Sequence, residues 1–130
     1  MNALRVLVVE DDPLIGMLLA DVLSEMGYQV SAVEATEAGA VATAARGRPD
    51  LMIVDAGLRE GSGVSAVEKI LRNGFIPHVF VSGAIAAIQA QRPGAIVIQK
   101  PFRDVDLARA IEQAFAAVPS GETLDKKKKM

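Results

Sequence analysis

Cysteine is absent from this chain, and histidine occurs once, at His78. Without thiols there is no disulfide framework, no thiolate metal site and no cysteine nucleophile, and one imidazole is too few for an ordinary zinc centre. An excess of positive charge is missing as well. The 14 basic and 16 acidic residues leave a net charge of -2, which offers no electrostatic footprint for nucleic acid, so any DNA binding would require another chain. No apolar run approaches the ~18 residues needed to span a bilayer, and the N-terminus lacks the basic flank, apolar stretch and small-residue cleavage site of a signal peptide. These absences predict a cytoplasmic protein with no membrane partner. At 130 residues and 51% hydrophobic side chains, the chain is long enough for one domain with a substantial core and too short for two.

Branched apolar runs alternate with segments of helical period. The runs predict strands at Arg5 to Val9, Gln29 to Val33, Leu51 to Asp55, His78 to Ser82 and Ala95 to Gln99. Four are nearly continuous, as strands covered on both faces are, and the mixed second one suits an edge. Between them, Leu14, Leu18, Val22 and Met26 predict one buried helix stripe, and Val64, Val67, Ile70 and Leu71 a second. Leu107, Ala110, Ile111, Ala114 and Phe115 predict a third. Pro13 suits a first helical turn, and Gly27 and Gly74 suit positions just past helix ends. The pattern is (βα)5, a doubly wound parallel five-stranded sheet. Residues 83 to 94 are all that separate the fourth and fifth strands, so the fourth helix is shortened to no more than about two turns, with "QRPG" as its exit. Residues 1–119 form the domain. Residues 120–130, with the basic run Lys126 to Lys129, have little to bury and read as a flexible tail.

In open parallel sheets, ligands bind beyond the carboxyl ends of the strands where the strand order reverses. Glu10 and Asp11 follow the first strand, and Asp55 ends the third. In the order 2-1-3-4-5 these strands are neighbours, and three carboxylates converge on one crevice. Like charges so close raise one another's pKa values unless a cation intervenes, and Mg2+ is the usual ion where a few carboxylates and several waters share the shell. Ser82 ends the fourth strand, followed by Gly83, and the fifth runs into Lys100 and Pro101. Acids for a metal, an aspartate, a hydroxyl and a lysine together make a phosphoryl-transfer site.

The segments "VLVVEDD", "LMIVDAGL", "VFVSG" and "IQKPF" stand in order at four strand ends. Over roughly residues 3 to 118 they resemble the response-regulator receiver domain of two-component signalling, CheY-like and flavodoxin-like in fold, and the length suits a stand-alone member. The resemblance implies that Asp55 is the phosphoacceptor, supplied by a phosphohistidine on a sensor histidine kinase or a histidine phosphotransfer protein. It implies that Glu10, Asp11, Asp55 and the Gly57 carbonyl hold Mg2+, that Lys100 pairs with the phosphoryl group, and that Ser82 bonds one of its oxygens. Gly83 and Pro101 flank those two residues. A downstream protein would read the fourth helix, fifth strand and fifth helix. "PHVFVSGA" partly matches the Pro-Phe-x-Phe-Ala-Thr-Gly-Tyr signature of a subgroup known from alphaproteobacteria. Two departures concern output: Val97 stands where many receivers carry a switch aromatic, and Gly83 where alanine usually follows the hydroxyl residue.

Plainer roles remain open for single residues. Acids between a strand and a helix are common caps, which suits Asp12 before Pro13 best. Lys100 can be a structural ion-pair partner of Asp55. A strand-end aspartate is harder to explain structurally, because its desolvation needs a partner. His78, at the far end of its strand from the acids, reads as structural. Two other functional classes also remain. A haloacid-dehalogenase-type hydrolase uses an aspartate nucleophile and Mg2+ but wants a second aspartate two positions on, where this chain has Gly57. A pseudo-receiver, a binding module that never takes phosphate, would keep the fold without the chemistry.

Overall fold

The computed structural model describes residues 3–117, so the segment read as a tail, with Lys126 to Lys129, lies outside the described residues. The chain alternates β1 (Arg5–Val9), α1 (Pro13–Glu25), β2 (Gln29–Glu34), α2 (Glu37–Arg46), β3 (Leu51–Asp55), α3 (Gly63–Leu71), β4 (His78–Ser82), α4 (Ile85–Gln91), β5 (Val97–Gln99) and α5 (Asp104–Ala116). All pairings are parallel, and the sheet order is β2-β1-β3-β4-β5. The doubly wound order expected from the sequence is therefore the one observed. No helix among the described residues is long and apolar enough to cross a membrane.

Period-two side-chain alternation divides the apolar strands between two cores. Leu7, Val9, Met52, Val54 and Phe80 pack against α2, α3 and α4, whereas Val6, Val8, Leu51, Ile53 and Val81 pack against α1 and α5. Each large side chain so buried is worth about 1.5–3 kcal/mol, and β3 is buried at all five positions. A strand covered on both faces has little freedom to slip, which holds its last residue, Asp55, in place.

The stripe expected on α1 is corrected by the structure. Its buried residues are Gly16, Leu19 and Leu23. Leu14 and Leu18 are exposed, as is Met17, while Ile15, Val22 and Met26 lie at the margin of the core. This helix is apolar around most of its circumference, so a four-residue spacing alone could not select the inward face. Gly16 can face β2 because it is small: a Cβ there would lie 3.1 Å from Val33 Cγ1. The other two expected stripes are inward as read. Strand β5 is shorter than expected, beginning at Val97. Ala95 donates its N–H to Arg92 O in the turn that leaves α4.

Helix α4 spans seven residues, with no side-chain cap at its start and only Ile88 buried. At the opposite end of β4 from Ser82, His78 Nδ1 lies 2.8 Å from Ile76 O, and its ring stands between those of Phe75 and Phe80. Burial pushes its imidazole pKa down, as suits a neutral, structural histidine.

Candidate functional site: an acidic crevice at the switch point

The crevice forms where β1 and β3 lie side by side and their helices leave on opposite faces. Glu10, Asp11 and Asp55 each bring a carboxylate oxygen within 4.8 Å of the others, so the three acids expected together are together. Glu10 and Asp55 are buried. Asp12 stands apart as the cap of α1, accepting the Leu14 N–H at 2.9 Å, with Pro13 in the first helical position.

Lys100 enters the crevice from the end of β5. Its Nζ lies 2.9 Å from Asp55 Oδ2 and 3.4 Å from Glu10 Oε1, and its backbone N–H donates to Ser82 O at 3.0 Å. Burial alone would lower its pKa, but the hydrogen bond and charge of Asp55, with the charge of Glu10, leave it raised. Glu10 moves up to about 7, because burial and then the neighbouring Asp55 charge outweigh the Asp12 N–H and Lys100. Asp55 Oδ1 accepts the Gly57 N–H at 2.9 Å. Ser82 follows Val81, the register partner of Asp55, and its Oγ accepts the Ala84 N–H at 2.9 Å. A Cβ at Gly57 or Gly83 would meet nothing within 4 Å, so both positions border open space. Pro101 follows Lys100 through a cis peptide bond.

Gly63 sets how closely α3 approaches the acid-bearing strand. A Cβ there would lie 2.1 Å from Asp55 O and 2.8 Å from Val54 Cγ1, while its N–H donates to Ala56 O. Arg59 was not singled out from the sequence. Its N–H donates to Asp11 Oδ2 at 2.8 Å, and its Nε stands 3.7 Å from the same oxygen. The contact joins positions 48 residues apart, and no local pattern announces it. On the α1 side of Lys100, Ile15, Leu18, Leu19, Val22, Pro101 and Phe102 line an apolar cavity of about 480 Å³.

The donor set fits a hard divalent ion: three carboxylates within bridging distance, one of them carrying a raised pKa that a cation would lower. Mg2+ bound there would neutralise carboxylate charge and oxygen charge developing on a phosphoryl group.

Fold and crevice define a doubly wound α/β domain with an acidic site at its strand-order switch point. The chain belongs to the response regulator receiver domain family, whose model matches residues 6–112. It is 34% identical over 117 residues to the phyllosphere-induced regulator PhyR of Methylorubrum extorquens, covering 87% of this chain and 44% of that protein. It is 35% identical over 116 residues to the transcriptional regulatory protein PdtaR of Mycobacterium tuberculosis, covering 86% of this chain and 57% of that one. The chain thus spans about half the length of these curated relatives. Among solved structures, the PhyR response regulator receiver domain of Erythrobacter litoralis is similar with a TM-score of 0.83 and 31% identity, over 92% of this chain and 95% of that one.

Proposed function

We propose that this chain is a cytoplasmic, Mg2+-dependent phosphorylation switch that accepts a phosphoryl group on Asp55 and signals through protein partners. The observation that carries the reading is the placement of Asp55: a buried carboxylate at a strand end, with two further acids within 4.8 Å and Lys100 Nζ at 2.9 Å. The donor is a phosphohistidine on a sensor kinase or phosphotransfer protein. An Asp55 oxygen attacks the phosphorus, the P–N bond breaks with its electrons returning to the donor imidazole, and the product is an acyl phosphate that water can later hydrolyse. Glu10, Asp11, Asp55 and the Gly57 carbonyl are the Mg2+ ligands in this reading. Lys100 pairs with the phosphoryl oxygens, Ser82 donates its hydroxyl to one of them, and Gly83 leaves room for the movement. The domain is a switch rather than an enzyme acting on a separate metabolite.

A donor reaching Asp55 would cover the rim formed by the start of α1 and by Lys100 and Pro101, where Leu14, Met17 and Leu18 are exposed. The downstream partner would read α4, β5 and α5. Intact mass after incubation with acetyl phosphate and Mg2+ tests the acceptor. One phosphoryl group should be gained by the native chain, and none by Asp55→Ala or in EDTA. A gain that survives either change refutes the assignment.

One observation favours the pseudo-receiver as second reading. Each crevice acid has a partner within the chain, Lys100 Nζ for Asp55 and Glu10 and the Arg59 N–H for Asp11, contacts that a purely structural ion-pair cluster would also make. A native chain that gains no mass and shows no Mg2+ affinity would establish it.

A further inference from the structure

Residues 56–62 connect Asp55 to α3, and they are held at two places. Near the crevice, the Gly57 N–H donates to Asp55 and the Arg59 N–H to Asp11. At the other end the ties that reach beyond the loop and α3 lead to one residue on a different helix, Glu37, the first residue of α2. Its backbone N–H donates to Glu60 O at 3.1 Å. Its Oε1 accepts the Ser62 N–H at 2.9 Å, and its Oε2 accepts the Ser65 hydroxyl at 2.6 Å and the Lys69 ammonium at 2.7 Å. The loop fits closely over it: Gly61 has φ +87°, and a Cβ there would lie 2.4 Å from Glu37 Cβ.

This is more than a helix cap requires. Ser62 already caps α3 through its own side chain, accepting the Ser65 N–H, and Thr36 caps α2. The Glu37 carboxylate instead bridges the two helices, through Ser65 and Lys69 of α3, and takes the backbone N–H of Ser62, the last residue of the loop that leaves the acceptor. The hydrogen bond from Lys69, then those from Ser65 and Ser62, hold its pKa down at about 2, so the anchor stays charged across the physiological range.

We infer that Glu37 is a positioning residue for the crevice: by fixing the Glu60–Ser62 end of the loop to α2, it holds Gly57 and the Arg59 N–H in the places that a metal bound by Glu10, Asp11 and Asp55 requires. The inference rests on the proposed receiver chemistry. Groups bonded directly to metal ligands typically change affinity by about 10–100-fold when removed, and Glu37, which reaches the ligands through the loop, belongs at the low end of that range. Without the carboxylate that end of the loop keeps only the backbone bond from position 37 to Glu60 O, so the ligands remain but their arrangement loosens.

The test compares wild type, Glu37→Ala, Glu37→Gln and Ala44→Gly, the last loosening α2 at a buried position away from the loop. Three quantities are measured on each: the Mg2+ dissociation constant by calorimetry, the metal-free melting temperature, and metal-free hydrogen exchange of residues 57–62. Glu37→Ala should raise the dissociation constant about tenfold or more and speed exchange across the loop. Glu37→Gln, which can keep the Ser62 bond but loses the charge facing Lys69, should fall between. Ala44→Gly should lower the melting temperature with affinity and loop exchange near wild type. Affinity and loop exchange unchanged in both Glu37 variants overturn the inference, as does an Ala44→Gly chain that loses affinity in the same proportion to its melting temperature. A wild-type chain with no Mg2+ affinity overturns the receiver chemistry and this inference together. Normal wild-type affinity with unaltered variants overturns the inference alone.

Discussion

Replacing Glu10 by glutamine should make the metal-free protein more stable at pH 8 and weaken its hold on a divalent ion. Glu10 is buried, and its pKa rises from 4.5 to about 7 on folding. Between those values the folded state keeps a proton that the unfolded chain has released, so stability falls as pH rises through that window. Below about 4.5 nothing is lost, and above about 7 the whole penalty is present. At about 1.4 kcal/mol per pH unit, that penalty is on the order of 3 kcal/mol, a net figure that already includes the attraction of Lys100. Glutamine imitates the protonated acid, because it can accept the Asp12 N–H, which Glu10 Oε2 takes at 3.0 Å, and can donate toward Asp55. Urea unfolding in EDTA at pH 5 and pH 8 measures the effect. The variant should gain on wild type by on the order of 2–3 kcal/mol between the two pH values. Saturating Mg2+ should close most of that gap, since a ligand at a hundred times its dissociation constant adds about 2.7 kcal/mol, and wild type binds it better. A variant less stable than wild type at pH 8 without metal, or a difference independent of pH, refutes the reasoning.

Gly61→Ala meets Glu37 Cβ at 2.4 Å from a left-handed backbone and should lose on the order of 2 kcal/mol by urea midpoint. Gly83→Ala enters open space and should stay within about 0.5 kcal/mol; equal effects at the two sites would contradict the packing described. Lys100→Met leaves the buried Glu10 and Asp55 without their cation and should lose about 3 kcal/mol in EDTA. Mg2+ should restore much of that loss, whereas full stability without metal would show that the ion pair carries little. Residues 83–94, with Ile88 the one buried residue of a helix that has no side-chain cap at its start and Arg92 paired to Glu68 at 3.7 Å, should exchange amide hydrogen faster than β4 and gain protection with Mg2+ and beryllofluoride. Full protection in the free protein, or a response confined to another face, would refute their role as the element that carries the signal.

How far the sequence could be read depended on how far each signal reaches along the chain. β1, β3 and β4 lie where the continuous apolar runs placed them, because such a run has one low-energy home, a strand covered on both faces. The crevice acids and Lys100 were readable because each ends a strand or lies within two residues of a strand end. On α1 the same method failed: Leu14, Met17 and Leu18 are as apolar as Leu19 and Leu23, and only the position of the sheet decides between them. Strand ends at Glu34 and Val97 differ from the run limits because the ladder, not hydrophobicity, terminates pairing. Arg59 on Asp11 and Glu37 on Ser62 join positions 48 and 25 residues apart through one hydrogen bond each, a relation with no local trace.

The glycine at the start of α3 bears on transplanting this chemistry. Acids, a hydroxyl and a lysine can be written onto the strand ends of many doubly wound sheets, and a search for those side chains would accept the result. Yet here the helix axis comes so near the third strand that position 63 has no room for a single carbon beyond the backbone. A designer who copied Glu10, Asp11, Asp55 and Lys100 but left alanine at that helix start would push strand and helix apart, and the grafted carboxylates would no longer meet. The smallest residue in the chain thus belongs to the minimal specification of the site as much as the charged ones do.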